Sequence, residues 1–226
     1  MDVENLKKMA GERAADRVKD GMIVGLGTGS TVKYTIYKIG EMVKNGLDIV
    51  GIPTSRSTEQ LAKALGIPIA RLEDYERVDL TIDGADEVDR DLNLIKGGGG
   101  ALLREKMVAY YSNYEIIVVD ERKLSNVLGS FPLPIEIVKF GYGKTMETLS
   151  KMGCEPSIRM NGTEKYVTDN GNYIVDCKFT KIDNPEELEI EINMVPGVVE
   201  NGLFRNLANE VLVGTKNGLR ELKRMT

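Results

Sequence analysis

The chain has 226 residues, 42% hydrophobic and 29% charged, with a formal net charge of −5 and no histidine. That length supports one substantial core, or a main domain with a smaller companion, and the acidic balance argues against a broad nucleic-acid surface. Without histidine, Ser–His–Asp triads and histidine-ligated zinc are excluded, and proton transfer falls to carboxylates, lysine, tyrosine or cysteine.

In chain order, Leu6, Met9, Ala10, Ala14 and Val18 recur at helical spacing, with Gly21 as a stop signal. The charged N-terminal segment lacks the apolar stretch of a signal peptide. No run of 18 apolar residues follows that could span a membrane, so the expectation is a cytoplasmic protein without a membrane partner. Residues 22–26 (MIVGL) read as a buried strand, followed by a glycine-rich turn and an amphipathic helix over 31–44. Residues 47–52 (LDIVGI) form a second strand, 57–66 a helix and 67–70 (IPIA) a short strand. Three more apolar segments, 78–83, 92–95 (LNLI) and 115–120, continue the series. Short apolar strands separated by helices specify a mostly parallel sheet covered on both faces.

Two prolines in 130–137 (SFPLPIEI) mark a junction. Beyond it, Asn170-Gly171 between alternating segments predicts an antiparallel hairpin, and Pro185 sits in the first turn of a helix over 184–197. Cys154 and Cys177 lack metal-site spacing and read as small buried thiols. Residues 210–215 (EVLVGT) return to the first sheet. The fold class is therefore α/β: a Rossmann-like, mostly parallel sheet with helices on both faces (1–128 and 206–226). A smaller α+β domain with antiparallel strands (129–205) accompanies it.

In open parallel sheets ligands bind beyond the carboxyl ends of the strands, and three unusual loops fall there. In 24–31 (VGLGTGST) backbone N–H groups, a helix N-terminus and the hydroxyls of Ser30 and Thr31 can cradle an anion. Ser30 stands where a dinucleotide fingerprint needs its third glycine, and no Gly-Lys-Ser/Thr closes a P-loop. A small phosphorylated ligand remains, beside the alternative of a tight turn with no ligand. In 81–89 (TIDGADEVD) the strand ends at Asp83, with Asp86, Glu87 and Asp89 close behind. A solvated acidic loop is one account of it; the spacing fits no calcium loop.

The third loop is 95–105 (IKGGGGALLRE). It delivers Lys96 at a strand end, then four glycines that let the backbone pass close to a small ligand. Glu105 follows in the first turn of a helix, where the dipole favours an ionised carboxylate ready to accept a proton. A plain glycine turn with an exposed Glu105 is the competing account. An anion cradle, a carboxylate base, a lysine and paired aspartates together point to proton shuffling on a small phosphorylated sugar, by an isomerase or a deaminase.

Four motifs, VGLGTGST, TIDGADEVD, IKGGGGALLREK and DERK (120–123), in this order and spacing, resemble the A-type ribose-5-phosphate isomerase family. FPLPIEI, VTDNGNYIVD and PGVVENGLF resemble its second half, so the likeness covers nearly the whole chain. The resemblance implies interconversion of ribose 5-phosphate and ribulose 5-phosphate through an enediolate in the non-oxidative pentose phosphate pathway. It implies no metal, no organic cofactor and a homodimer or homotetramer, with oligomerisation as the expected role of the smaller domain (129–205). Carried over by position, Glu105 is the base, and Asp83, Asp86 and Lys96 surround the sugar hydroxyls. Thr28, Gly29, Ser30 and Thr31, with Gly84, Ala85, Gly97, Gly98 and Gly99, contact the substrate, while Lys7 and Lys123 lie near the phosphate. One departure is Arg56, in GIPTSRST, where a smaller or acidic residue is expected. The rival readings are a sugar-phosphate deaminase, which in that family leans on a histidine, and a sugar-phosphate sensor, which carries a DNA-binding helix-turn-helix. Neither feature is found in this sequence.

Overall fold

The computed structural model describes residues 2–224. Its elements, in order, are α1 (Val3–Ala15), β1 (Ile23–Leu26), α2 (Val32–Lys44), β2 (Val50–Pro53), α3 (Arg56–Ala64), β3 (Leu80–Gly84), β4 (Glu87–Val88), β5 (Leu94–Ile95), α4 (Leu102–Tyr110) and β6 (Glu115–Asp120). Then follow β7 (Leu133–Ile137), α5 (Tyr142–Ser150), β8 (Glu155–Ile158), β9 (Met160–Asn161), β10 (Glu164–Lys165), β11 (Tyr173–Lys178), α6 (Pro185–Asn193), β12 (Val198–Asn201), β13 (Leu203–Phe204), β14 (Glu210–Thr215) and β15 (Gly218–Lys223). Local chemistry sets the helix starts. Asp2, Ser55 and Asn184 each accept a backbone N–H at the start of α1, α3 and α6, and Pro185 occupies the first turn of α6.

Contacts divide the chain into two compact units. The first comprises the residues up to Ala85, Arg104–Lys123 and those from Asn206 on; the second comprises Asp86–Leu103 and Leu124–Arg205. The first holds a six-stranded sheet in the order β15-β14-β6-β3-β1-β2. All neighbouring pairs are parallel except the β14–β15 edge hairpin. Alternation along β1 separates its two faces. Val24 and Leu26 pack with Ala10, Ala14, Ile36 and Ile39 of α1 and α2, whereas Ile23 shares a second cluster with Ile52, Val78 and Val108 of α4. Two glycines allow the closest approaches: a Cβ at Gly25 would come within 2.0 Å of Thr81 Oγ1, and one at Gly214 within 2.0 Å of the Leu6 carbonyl. The 210–215 segment is β14, parallel to β6, as the sequence indicates.

The second unit contains a four-stranded sheet, β12-β7-β11-β8, a three-stranded sheet, β13-β5-β4, and the β9–β10 pair. Its core gathers Leu133, Ile135 and Ile137 of β7 with Val175 and Cys177 of β11, Leu149 and Ile192. Both cysteines are buried thiols.

Several expectations change here. The LNLI segment reduces to β5 and pairs antiparallel with β4 and β13, outside the parallel sheet. Asp89 accepts from the backbone N–H groups of Asp91 and Asn93, and Leu92 adopts φ 59°, so the chain reverses before β5 begins. For that reason residues 86–103, expected with the parallel sheet, fall in the second unit, and the boundary lies at 123/124 instead of 128/129. Residues 67–70 make only an isolated bridge, Gly51 to Ile69; Pro68 has no N–H to extend it. The proline-marked junction is itself β7, an interior strand, with Pro134 beyond the last β12 partner, Ile135. Asn170-Gly171 turns the chain, but β11 pairs with β7 and β8, so no hairpin forms across it. A tight hairpin forms instead between β14 and β15, where Lys216 and Asn217 make the turn and Gly218 (φ 114°) pairs with Thr215.

The second unit is also tied by Glu87, a buried carboxylate in β4. It accepts from the N–H groups of Gly129 (3.1 Å) and Phe131 (3.0 Å) and from Ser130 Oγ (2.7 Å). Burial alone would raise its pKa, but these donors outweigh burial and hold the carboxyl below its ordinary value. Glu87→Gln should therefore lose about 1.5–3 kcal/mol of stability near neutrality, read by chemical denaturation. A depressed folded pKa contributes stability above the unfolded value and loses it as pH falls through the folded one. The gap between wild type and variant should thus close as pH drops below about 4; a gap unchanged at low pH would exclude the charge as its cause.

Candidate active site

The carboxyl ends of β6, β3 and β1 are neighbours in the first unit's sheet and bring three predicted segments to one edge. Beyond β1 lies the loop 27–31, beyond β3 come Gly84 and Ala85, and beyond β6 a 3-10 turn (Glu121–Lys123) carries Lys123. Asp83, fully buried at the end of β3, holds the first two together. Its Oδ1 accepts from Thr28 N at 3.0 Å and Gly84 N at 2.7 Å. A Cβ at Gly27 would come within 2.2 Å of that same oxygen, so the position admits only glycine. Gly29 (φ 144°) and Ser30 are exposed, and Thr31 caps α2 without a side-chain bond to its backbone. The positive end of α2 thus opens on the loop.

Thr28 Oγ1 sits among hydroxyls, with Thr54 Oγ1 and Ser55 Oγ at 2.8 Å and Thr58 Oγ1 at 3.1 Å. These partners are absent from the sequence-level expectations. Their signal is a run of short hydroxyl residues directly after β2, at the same sheet edge. Arg56, the departure noted above, is exposed in the first turn of α3. Lys7 projects from α1 and donates to Glu4 Oε1 at 2.8 Å; Tyr34 Oη donates to Glu4 Oε2 at 2.6 Å. Lys7 first, then Tyr34, lower the Glu4 carboxyl to about 2. Glu105 lies in the first turn of α4 and is only 3% exposed. The exposed carboxylate of the competing account is therefore ruled out.

The second unit carries the remaining predicted residues. Lys96 follows β5 and is 2% exposed, with its Nζ 5.3 Å from the centre of the Phe204 ring. Its backbone N–H donates to Gly202 O at 2.9 Å. Gly98 N donates to Asp86 Oδ2 at 2.7 Å, and a Cβ at Gly98 would lie 2.6 Å from Asp86 Oδ1. Gly97 (φ 101°) and Gly100 (φ 80°) have backbone that other residues rarely adopt, and Gly100 N closes a turn on Gly97 O. The exposed Gly98 and Gly99 form the tip of the run. The loop 81–89 thus divides its acids. Asp83 and Asp86 fix the two glycine loops, while Glu87 and Asp89 serve structure alone. No motif signals Arg159 and Tyr166, whose side chains reach the carbonyls of the glycine run.

Among the described residues, no group of three or more His, Cys, Asp or Glu is arranged to hold a metal ion. In the first unit the sheet edge can bind an anion beside the buried Asp83; in the second, a buried lysine and an anchored glycine backbone can approach a small polar molecule.

The family described as Ribose 5-phosphate isomerase A (phosphoriboisomerase A) matches residues 50–218 of the chain. The Ribose-5-phosphate isomerase A of Bacillus mycoides is 54% identical over 218 residues, covering 96% of this chain and 99% of that protein. A solved D-ribose-5-phosphate isomerase in complex with phospho-erythronic acid superposes with a TM-score of 0.97 at 45% identity, covering 99% of this chain and all of the other. Ribose 5-phosphate isomerase from Plasmodium falciparum gives a TM-score of 0.95 at 46% identity, covering 99% of this chain and 100% of that one.

Proposed function

The chain belongs to the ribose 5-phosphate isomerase A family and is an isomerase of ribose 5-phosphate and ribulose 5-phosphate; we propose that Glu105 is the base that moves the proton. The observation that carries this reading is a glutamate 3% exposed in the first turn of α4, in a chain without histidine. The helix start favours its ionised form. The carboxylate takes the proton from C2 of the open-chain aldose, the electron pair forms the C1–C2 double bond, and the enediolate is reprotonated at C1. The hydroxyl proton passes from O2 to O1, so the isomerisation balances without an oxidant.

The charge that develops on O1 and O2 needs preorganised donors. We assign this to the Lys96 ammonium and the N–H groups of Gly97 and Gly99, Gly98 N being engaged by Asp86, with Asp83 and Asp86 orienting the sugar hydroxyls. Thr28–Thr31, Gly84, Ala85, Lys7 and Lys123 bind the rest of the substrate, with the phosphate toward Ser30, Thr31 and the two lysines. Phospho-erythronic acid, bound by the 45% identical relative, carries a carboxylate and a phosphate on a four-carbon chain. That charge pattern suits a site shaped for an enediolate with a remote phosphate. We assign the enzyme to the cytoplasm as a homodimer or homotetramer. Among the described residues no helix is long and apolar enough to cross a membrane, and the second unit by itself leaves Phe140 93% and Met194 77% exposed.

Glu105→Gln keeps the shape but cannot accept a proton, so kcat should fall about 10²–10⁴-fold with substrate still bound. A variant retaining half its activity would remove Glu105 from the role. Lys123 holds the part of the substrate that does not react. Equal contacts in ground and transition states change KM and leave kcat alone. Lys123→Ala should therefore raise KM about 10- to 150-fold, as for the loss of one charge-assisted hydrogen bond. An unchanged preference for ribose 5-phosphate over ribose in that variant would place the phosphate elsewhere. Light scattering should give two or four times the chain mass, and cell fractionation should recover the enzyme apart from membranes; a monomer or a membrane-bound pool would contradict the assignment.

A further inference from the structure

The run Gly97–Gly100 has no side chain with which to fix its own shape, and four glycines carry the largest backbone freedom a chain can have. In the second unit the shape is imposed from outside. Arg159 Nη1 donates to Gly97 O at 2.8 Å and to Gly98 O at 3.1 Å. The other edge of the guanidinium is clamped on Asp176 of β11. Nε donates to Oδ2 at 2.9 Å, and Nη2 pairs with Oδ1. The backbone beneath is rooted as well, because Arg159 N bonds Ile174 O at 2.8 Å and Tyr166 N bonds Arg159 O at 2.9 Å. The Tyr166 ring centre lies 5.9 Å from the guanidinium carbon, and its hydroxyl stands 3.4 Å from Gly99 O. A Cβ at Gly100 would come within 2.2 Å of that hydroxyl. Three consecutive carbonyls of the run are thus met by two side chains. On its other side Gly98 N is held by Asp86.

We propose that Arg159, clamped by Asp176, is a positioning residue for the isomerisation: it fixes the carbonyls of Gly97 and Gly98 and thereby the stretch that presents Lys96 and Asp86 to the sugar. This rests on the reading that Lys96 and Gly97–Gly99 contact the substrate. Only a planar fork can do it. The guanidinium bonds a carboxylate along one edge and two carbonyls from the remaining nitrogen, and a lysine ammonium cannot reach both sets. With the fork gone, the glycines regain their freedom, and a small displacement of a catalytic group costs rate even when the substrate still binds.

The test compares wild type, Arg159→Lys and Arg159→Met, with three readouts: hydrogen exchange of residues 96–102 in the ligand-free protein, thermal midpoint, and kcat and KM for ribose 5-phosphate. Arg159→Met should speed exchange within 96–102 selectively and lower kcat about 10- to 100-fold, with KM changed far less; Arg159→Lys should fall between. If Arg159→Met does not fold, Arg159→Lys, which keeps the charge beside Asp176, carries the comparison. A folded variant with wild-type exchange and kcat overturns the proposal. So does a uniform rise in exchange across the chain with a matching fall in midpoint, which is a structural role only. Faster exchange in 96–102 with kcat unchanged also overturns it, and locates the error in the reading of the glycine run as substrate site. Absence of isomerase activity in wild type would count against the proposed function itself, while the exchange comparison would still show whether Arg159 clamps the loop.

Discussion

Asp83 is the point on which the glycine loop of the first unit depends. A carboxylate with no exposure at the end of a parallel strand must be compensated, and its Oδ1 takes N–H groups from the loop after β1 and from its own strand end. Two constraints follow from that one arrangement. Position 27 must lack a Cβ, because the oxygen occupies that space. The loop 27–31 must also leave β1 at a fixed angle, which sets Thr28 among the hydroxyls of Thr54, Ser55 and Thr58 and lets α2 start at Thr31. Glycine in GLGTGS therefore serves two ends: room for a buried carboxylate and, at Gly29, an open backbone toward an anion.

In the second unit the same economy appears with different partners. Carboxylates there act as anchors for loops: Glu87 gathers 129–131, Asp89 reverses the chain before β5, and Asp176 holds Arg159. Glu136, fully buried in β7, does this for the turn after β10. Its Oε1 accepts from Thr168 Oγ1 (2.9 Å), Asn170 Nδ2 (3.2 Å) and Asn172 Nδ2 (2.9 Å). That network explains why Asn170-Gly171 fails to build a hairpin. Three short polar side chains at alternate positions are drawn to one buried carboxylate, so the segment before the turn is spent as a loop and not as a strand. At the β14–β15 hairpin Lys216 and Asn217 make the turn, Thr215 Oγ1 accepts from Asn217 N and donates to Gly218 O, and the strands pair from Gly218 onward. The Asn-Gly dipeptide occurs at both places, and at the first a carboxylate more than thirty residues away holds the turn.

Rigidity and reactivity are linked by these anchors. A site that relies on glycine backbone for close approach gives up the side-chain packing that ordinarily fixes a loop, so order must be supplied by groups outside it. Asp83 supplies it for the first glycine loop and Arg159 with Tyr166 for the second. Each loop is held by hydrogen bonds to its anchors, so it is fixed by interactions with direction and not by apolar contact alone.

The sequence by itself determined the alternation of short apolar strands with helices, the return of 210–215 to the parallel sheet, the start of α6 at Pro185, and the placing of Thr28–Thr31, Asp83 and Lys123 at strand ends. Each of these rests on near neighbours: period, capping and turn residues act within a few positions. Only the tertiary structure decided that β5 belongs to an antiparallel sheet with β13, that Glu105 is buried, that Glu87 is structural, and that Arg159 reaches the glycine run. Apart from the burial of Glu105, these depend on partners 40 to more than 100 residues away along the chain. A two-residue strand has too few positions to declare its sheet, and an arginine's spacing in sequence carries no trace of the carbonyl it will meet. Hydrogen bonds and burial are settled by which surfaces fold against each other, and that is a property of the whole chain.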